Sequence, residues 1–506
     1  MNYRNIFVSL CFLIIRNYSF SQSCENHRYR DSIFDVVKTS DVIFANVQAI
    51  PAVYVSENVT ISQNLFMDIF EPADDTLSKR PVVIFAFGGG FLIGGKDDED
   101  AQTYCDSMTH TGYVAVSIDY RLGMNIASPA SAVRAIYRAA QDYSAAVRFL
   151  KEYAEQYRID TNYIFTGGVS AGSFSAMNLA YMQETDRPQD TYASGGLSPS
   201  PDLGCLHCSG NSYSHNTKAK ALLNCWGALL DTSWMELNDN TPLISFHGDA
   251  DPIVPFGTGF PFTALFLMPE VYGSQPITER ANHIGLYNQF HPFAGQGHNV
   301  WGTVVNNNFV GGQTPYFDTI FQETKDFFYP FLQPTAPVIL GSFDVCVGDT
   351  IVYSVVQNPG SNWCWEVQGG IIISPNVQQN QISVVWQTIG SGSVKAREVN
   401  HLLAVSDASL QSVSVADCLT GLNSSTENLK FLLFPNPVQQ GDEIHLDLLP
   451  RKSVSISITD LSGKLIMKKN IMGLNLISTL LLEPGFYTVT ASDNESFKEI
   501  TKLIVY

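Results

Sequence analysis

A serine set between glycines is the first group in this sequence that could act as a nucleophile. Gly168-Val169-Ser170-Ala171-Gly172 follows the short apolar run Tyr163–Thr166 and precedes the helix-compatible run Ser173–Met182. Glycines on both sides permit a tight strand-to-helix turn that lifts a hydroxyl above a sheet at a helix N-terminus. Such a hydroxyl attacks a carbonyl when a base takes its proton and donors hold the oxyanion that forms. Donors are expected upstream, in Phe87-Gly88-Gly89-Gly90-Phe91, where successive glycines let backbone N–H groups point into a cavity. The natural three are Gly89 and Gly90, with Ala171 after the serine. A flexible turn and a phosphate cradle are the competing readings; no Lys-Ser/Thr follows, which excludes a Walker-type loop.

The base and its orienting acid have several candidates. In Ala294-Gly295-Gln296-Gly297-His298-Asn299, small residues flank a histidine on a loop that could swing over the serine. His283, in a helix-like stretch, and His291, beside Pro292, compete with His298. Phe246-His247-Gly248-Asp249-Ala250-Asp251-Pro252 follows the apolar run Pro242–Ser245 and carries two acids, of which Asp251 is preferred and Asp249 is the competitor. His247 ends the strand and reads as a satisfied structural histidine rather than the base.

Elements able to position these groups are legible from about residue 22 to 332, where strand-like and helix-like stretches alternate. That is the pattern of an α/β fold with a mostly parallel sheet flanked by helices. Pro81–Phe87 and Tyr113–Asp119 are short apolar runs, as expected of strands buried on both faces. From Ser131 to Tyr157 apolar residues recur every three or four positions, predicting a helix. Tyr163–Thr166, Ala219–Leu223 and Pro242–His247 continue the strands, and Tyr316–Leu332 reads as a closing helix before Pro334 and Pro337. Beyond that boundary, Thr350–Val355, Trp363–Val367, Ile371–Ser374, Ile382–Trp386 and Gly392–Arg397 are short β-segments between Asn, Pro and Gly turns, a small β-sandwich pattern. A polar stretch, Leu422–Asn428, precedes a last β-rich module. The expected division is 1–21 leader, 22–334 α/β domain, 335–418 β-sandwich, 419–429 linker and 430–506 terminal β-domain.

Composition narrows the function classes. With 29 basic against 48 acidic residues the formal charge is −19, which argues against a nucleic-acid partner, since phosphate binding needs a clustered basic surface. Arg4 followed by Ile6–Ile15, an apolar run of about ten residues, reads as a signal peptide and is too short to span a bilayer. Ser19 and Ser21 place cleavage after Ser21; a lipoprotein reading through Cys24 lacks the usual preceding residues. No later stretch reads as membrane-spanning. Of nine cysteines, Cys11 leaves with the leader, and export makes disulfides the expected use of the rest. Five fall in the first segment (Cys24, Cys105, Cys205, Cys208, Cys225) and three further on (Cys346, Cys364, Cys418), so each segment keeps a free thiol or one bridge crosses. Cys24–Cys105 is the preferred long-range bridge. A zinc site at Cys205, Cys208 and Cys225 lacks an evident fourth ligand. Phe260–Met268 is an apolar run that could wall an acyl pocket, form a lid or be a buried helix.

Taken together, these motifs resemble the carboxylesterase and lipase branch of the α/β hydrolases, over roughly Asn64 to Val300. Phe87–Phe91 is similar to that family's His/Tyr-Gly-Gly-Gly-Phe oxyanion motif, with Phe87 in place of the usual histidine or tyrosine. Ile118–Leu122 and Gln141–Leu150 resemble its strand-end and helix motifs, whose expected roles are ion pairing and packing. His247–Pro255 is similar to its His-Gly-x-x-Asp-x-x-Val-Pro acid motif, which favours Asp251 over Asp249. Ser170, Asp251, His298 is also the chain order of this fold. The resemblance implies a serine carboxylic-ester hydrolase without metal or organic cofactor, its substrate a small-molecule, lipid or polymer ester. A peptidase or acyltransferase with the same triad, or a non-catalytic adhesion protein, are the rival readings.

The terminal module resembles a type IX secretion sorting domain of Bacteroidetes through Leu433–Pro437, Ile458–Lys464, Leu482–Tyr487 and Lys502–Val505. That implies the type IX machinery as a partner and a secreted or cell-surface destination. Val345–Gly348 and Trp365–Gly370 make the middle segment similar to a PKD-like, immunoglobulin-type domain, with a spacer or weak adhesion role implied.

Overall fold

Short runs of β-branched and aromatic residues bury both faces only inside a sheet covered on both sides, and the strands of this chain do so. The computed structural model describes residues 27–50, 57–195, 199–262, 267–374, 379–418, 430–449, 453–472, 475–492 and 498–506. The expected leader 1–21, its cleavage point, Cys24 and the linker 419–429 lie outside the described residues.

The chain divides into two compact units. The first comprises Met1–Pro337 with Asn358–Cys364 and Arg397–Ala408; the second comprises Val338–Gln357, Trp365–Ala396 and Ser409–Tyr506. Within the first, Leu402 and Ala404 are fully buried in the core. Tyr29 Oη donates to the Leu402 carbonyl at 2.9 Å, and Tyr329 Oη to that of Val405 at 3.1 Å.

The first unit is built on β1 (Val36–Ala49), β2 (Ile61–Pro72), β3 (Arg80–Ala86), α1 (Glu99–His110), β4 (Val114–Ile118), α2 (Pro129–Glu152), β5 (Ile159–Val169) and α3 (Ala171–Tyr181). It continues with β6 (Ala221–Cys225), β7 (Leu243–Gly248), the two-residue strands β8 (Thr258–Gly259) and β9 (Val271–Tyr272), α4 (Ser274–Ile284), β10 (Asn288–Phe293) and, further on, α5 (Tyr316–Phe328). One eight-stranded sheet runs β1-β2-β4-β3-β5-β6-β7-β10. The first two strands pair antiparallel, β2 meets β4 antiparallel, and from β4 to β10 every pairing is parallel. Every residue of β3, β4, β6 and β7 is buried. The sheet is therefore the mostly parallel α/β sheet expected, with α1, β1, β2 and β10 added to the elements legible beforehand. The closing helix stops at Phe328 and continues as a 3₁₀ turn over Tyr329–Phe331.

Helix α2 shows what the periodicity did not anticipate. Ser128 caps it by accepting from the Ser131 N–H, with Pro129 in its first turn. All residues from Ser131 to Leu150 are buried, the charged ones included. Arg134 donates to the carbonyls of Asp190 and Pro201, and Arg148 to those of Ser209 and Asn211. The excursion between α3 and β6 thus covers part of the polar face of the helix with backbone acceptors, and Glu57 pairs with Arg134 and Arg138. At the end of β4, Arg121 pairs with Asp142 at 2.8 Å, and the same carboxylate accepts the Arg121 N–H at 2.7 Å. Asp119 accepts from the N–H groups of Phe66 and Lys96. The strand-end motif is structural, as expected.

The middle segment of the chain forms two sheets. Asp344–Cys346, Ser409–Ala416, Gly390–Val399 and Asn362–Gln368 make one; Thr350–Ser354, Gln381–Trp386 and Gly370–Ile372 make the other. Cys346 and Cys418 are disulfide-bonded. The terminal module forms a three-stranded and a four-stranded sheet around Ile456, Ile458, Val489 and Leu503. Its Asp460–Lys464 motif is a turn in which the Asp460 carboxylate accepts the N–H groups of Ser462 and Lys464. Among the described residues no helix is long and apolar enough to cross a membrane.

One buried acid gives the first unit a pH dependence. Asp100, in the first turn of α1, has its carboxyl pushed up to about 7 by burial and then by the neighbouring Asp98. Folded, it holds a proton that the unfolded chain releases near pH 3.9, so stability falls as pH rises from about 4 to 7. Asp100→Asn should melt higher than wild type at pH 8, by about 1–3 kcal/mol. The difference should vanish towards pH 4 in the same calorimetric series.

Candidate active site

The site begins with a backbone conformation. Ser170 stands between β5 and α3 at φ 53 and ψ −119, a region costly for any residue with a Cβ. The surroundings hold it there. The Ser170 N–H donates to the Cys225 carbonyl at 2.9 Å. Ser173 Oγ donates to the same carbonyl and accepts the Cys225 N–H, pinning the turn to the end of β6. A Cβ on Gly168 would sit 2.7 Å from the Ala86 carbonyl oxygen, and one on Gly172 only 2.0 Å from it. Both glycines are required because the turn is pressed against the end of β3.

Asp251 and His298 meet Ser170 in a chain of hydrogen bonds. His298 Nε2 lies 2.9 Å from Ser170 Oγ, and His298 Nδ1 lies 2.6 Å from Asp251 Oδ2. Asp251 Oδ1 accepts the N–H groups of Ile253 and Val254 at 2.8 and 3.0 Å. Its Oδ2 also receives His247 Nε2 at 3.2 Å. The tautomer of His247 follows from its partners. His247 Nδ1 lies 2.8 Å from Ser274 Oγ, which accepts from Asn224 Nδ2 at 3.0 Å. Nε2, which faces the Asp251 carboxylate and the Val254 carbonyl, carries the proton. Burial opposes ionisation of Asp251; the hydrogen bonds from His247 and His298 more than offset it, holding its carboxyl well below the ordinary range.

The competing candidates have other partners. Asp249 accepts the Gly295 N–H at 2.6 Å, tying the acid loop to the loop of His298. Along the same seam, a Cβ on Gly248 would meet the Gln296 carbonyl oxygen at 2.3 Å. His291 lies in β10 with its ring stacked on Phe246, centroids 4.9 Å apart. His283 sits exposed in the last turn of α4. His247 is fully buried and bonded, as expected, but its contact with Asp251 was not foreseen. The only signal for it was the spacing of four residues in His-Gly-x-x-Asp.

The glycine loop after β3 approaches the serine directly: a Cβ on Gly88 would lie 3.4 Å from Ser170 Cβ. Gly89 and Gly90 have φ of 107 and 62, values that suit glycine. Among the described residues, no hydrogen-bond acceptor is found for the N–H of Gly89, Gly90 or Ala171. Phe87 stacks on Tyr120 with centroids 4.3 Å apart. The Tyr120 hydroxyl lies 3.1 Å from the Phe87 and Gly88 carbonyls. Pro261, Phe262 and Met268 line an apolar cavity beside Ser170, whereas Phe260 is half exposed. The expected run thus supplies pocket wall on both sides of residues 263–266, which lie outside the described residues.

The cysteines correct one expectation. Cys105 is a free thiol buried in the apolar core from α1, so the expected bridge to Cys24 is not formed. Cys205 and Cys208 are bonded to each other, and Cys225 is a buried thiol in β6; the zinc alternative thereby loses its two closest ligands.

With this geometry established, the chain was compared with known proteins. The BD-FAE family model matches residues 67–228, and a secretion system C-terminal sorting domain model matches residues 432–506. Gut esterase 1 of Caenorhabditis briggsae is 32% identical over 117 residues, 23% of this chain and 20% of that protein. Esterase LipI of Mycobacterium tuberculosis is 33% identical over 103 residues, 20% of this chain and 29% of that protein. The chain thus spans less than a third of the length of these relatives. Among solved structures, Thermogutta terrifontis esterase 2 phosphorylated by paraoxon matches with a TM-score of 0.37 at 18% identity, covering 56% of this chain and 94% of that one. A truncated carbohydrate esterase from gut microbiota gives a TM-score of 0.37 at 18% identity, covering 60% and 98%. The C-terminal match supports export and a secreted or cell-surface location.

The elbow should be intolerant of a single methyl group. Gly172→Ala places carbon within 2.0 Å of the Ala86 oxygen, and we expect a loss of at least about 3 kcal/mol in urea denaturation, or no folded protein. Gly195→Ala, with nothing within 4 Å, should stay within about 0.5 kcal/mol of wild type.

Proposed function

We propose that the chain is a secreted serine esterase that hydrolyses carboxylic esters through an acyl-enzyme on Ser170. The observation that carries this reading is the run of hydrogen bonds from Ser170 Oγ through His298 to Asp251, with the serine held in a strained turn at a helix N-terminus. As Ser170 Oγ bonds to the ester carbonyl carbon, its proton passes to His298 Nε2. Asp251, kept ionised by its donors, stabilises the imidazolium and holds Nδ1–H towards itself. The carbonyl oxygen becomes an oxyanion facing the N–H groups of Gly89, Gly90 and Ala171. Collapse expels the alcohol, which takes the proton from His298. Water then adds to the acyl carbon, giving its proton to His298, and the carboxylic acid leaves as Ser170 is restored. None of these steps calls on a metal or organic cofactor.

Residues 22–334 are read as the catalytic domain and 335–418 as a PKD-like spacer. Residues 430–506 are read as the sorting module recognised by the type IX machinery. A triad of this kind also serves peptidases and acyltransferases; the esterase reading is favoured by the esterase relatives and by the BD-FAE match over residues 67–228, which carry Ser170 and the glycine loop.

A fluorophosphonate probe should label the folded wild type at one site, and p-nitrophenyl acetate should turn over. Ser170→Ala should abolish both without changing the circular dichroism spectrum. Asp251→Asn should lower kcat by roughly 10⁴-fold through loss of the correct tautomer. Folded wild type that neither labels nor turns over ester would leave the adhesion reading in its place.

A further inference from the structure

The cavity beside Ser170 is nearly filled by the protein itself. Traced by the centre of a water molecule it holds about 20 Å³, where a single water needs about 10–15 Å³. Among the described residues, Gly90, Phe91, Ser170, Ala171, Phe262 and Met268 are part of its lining. Apart from the serine hydroxyl, the described side chains that line it are apolar. A narrow apolar recess next to the nucleophile suits the part of an ester that stays covalently attached, because the alcohol must be free to leave. The room available matches a methyl or ethyl group.

Phe262 sets that limit. A Cβ built on Gly90 would lie 3.2 Å from Phe262 Cζ and 3.6 Å from Cε2, so the ring edge reaches across to the glycine loop. Its backbone is fixed at φ 53, and its N–H donates to the Ile253 carbonyl at 2.9 Å. Ile253 is itself a donor to Asp251. The ring is therefore anchored to the loop that holds the acid.

We infer that Phe262 is the acyl-length determinant of this site: its ring closes the recess beside Ser170, so acetyl and propionyl esters are accepted and longer acyl chains are excluded. The inference rests on the reading of Ser170 as the acylated nucleophile. Removing the ring joins the recess to the space it occupied, and each methylene newly accommodated in an apolar pocket is worth roughly tenfold or more in kcat/KM.

The test compares p-nitrophenyl acetate, butyrate and octanoate, which share one leaving group, in full-length wild type and Phe262→Ala, with active sites counted by fluorophosphonate titration. Wild type should lose at least about tenfold in kcat/KM from acetate to butyrate, and Phe262→Ala should raise the octanoate-to-acetate ratio by at least about tenfold. If Phe262→Ala fails to fold, Phe262→Leu should shift the ratio for butyrate in the same direction. A labelled wild type that hydrolyses octanoate as well as acetate overturns the inference alone. So does a ratio unchanged in the folded variant. Absence of both labelling and turnover for every ester overturns the underlying reading instead.

Discussion

The contact on which the rest of the site depends is the approach of the Ala86 carbonyl to the elbow between β5 and α3, so close that neither Gly168 nor Gly172 has room for a methyl group. It follows from sheet order. β3 and β5 are parallel neighbours, so their C-terminal ends emerge side by side, one leading into the glycine loop and the other into Ser170. A second pair, β7 and β10, is also parallel and adjacent; from its ends come the acid loop and the loop of His298. Between the pairs, β6 supplies the Cys225 carbonyl that receives the Ser170 N–H and the Asn224 amide that starts the chain towards His247. Five successive parallel strand ends thus deliver every group the proposed chemistry uses, at the sheet edge where open α/β sheets place their sites.

Charge inside that frame needs its own support. An unpaired buried carboxylate costs several kcal/mol, and the Asp251 side chain is fully buried. Two backbone N–H groups and two imidazoles donate to it, and hydrogen bonds to a charged group are worth about 1.5–3 kcal/mol each. Two of the four donors come from its own loop and one from the strand before it, so the carboxylate is held even when His298 is ignored. The proton on His247 Nε2 is fixed by the two acceptors that it faces, the Asp251 carboxylate and the Val254 carbonyl. Negative charge is therefore stable at the one place where an imidazolium would be formed and discharged in each cycle.

Much of this was legible in the sequence because the chemistry needs residue types that strand–turn–helix context makes rare. Ser170 and the glycine loop were found from local pattern alone, since the glycines are required by close approach and by φ. Asp251 and His298 needed the order along the chain, because a lone acid or histidine on a loop carries no spatial information. What escaped notice is what depends on tertiary contacts. The polar face of α2 has a helical pattern that normally means solvent, and the covering excursion and Glu57 help to bury it. His247 gains its role from a loop that folds back on its own strand. Cys105 was paired by context, while its burial in α1 reflects the periodicity of Tyr104, Cys105 and Met108 facing the core. Phe262 belonged to an apolar run equally compatible with a helix, and only its distance to Gly90 distinguishes a pocket wall.

The departure at Phe87 shows how a position can change without loss of geometry. Where the resembling family carries histidine or tyrosine, a polar atom is available beside the glycine loop; phenylalanine has none. Here the polar role falls to Tyr120, whose ring stacks on Phe87 and whose hydroxyl lies within reach of two successive carbonyls. In a planar trans peptide the C=O and the following N–H point in opposite directions. A hydroxyl that holds the Gly88 carbonyl on the Tyr120 side therefore turns the Gly89 N–H away from it. Because glycine would otherwise rotate freely, this single contact converts the flexibility of the loop into a fixed orientation for a proposed oxyanion donor. Aromatic stacking positions the tyrosine, and the tyrosine orients the peptide.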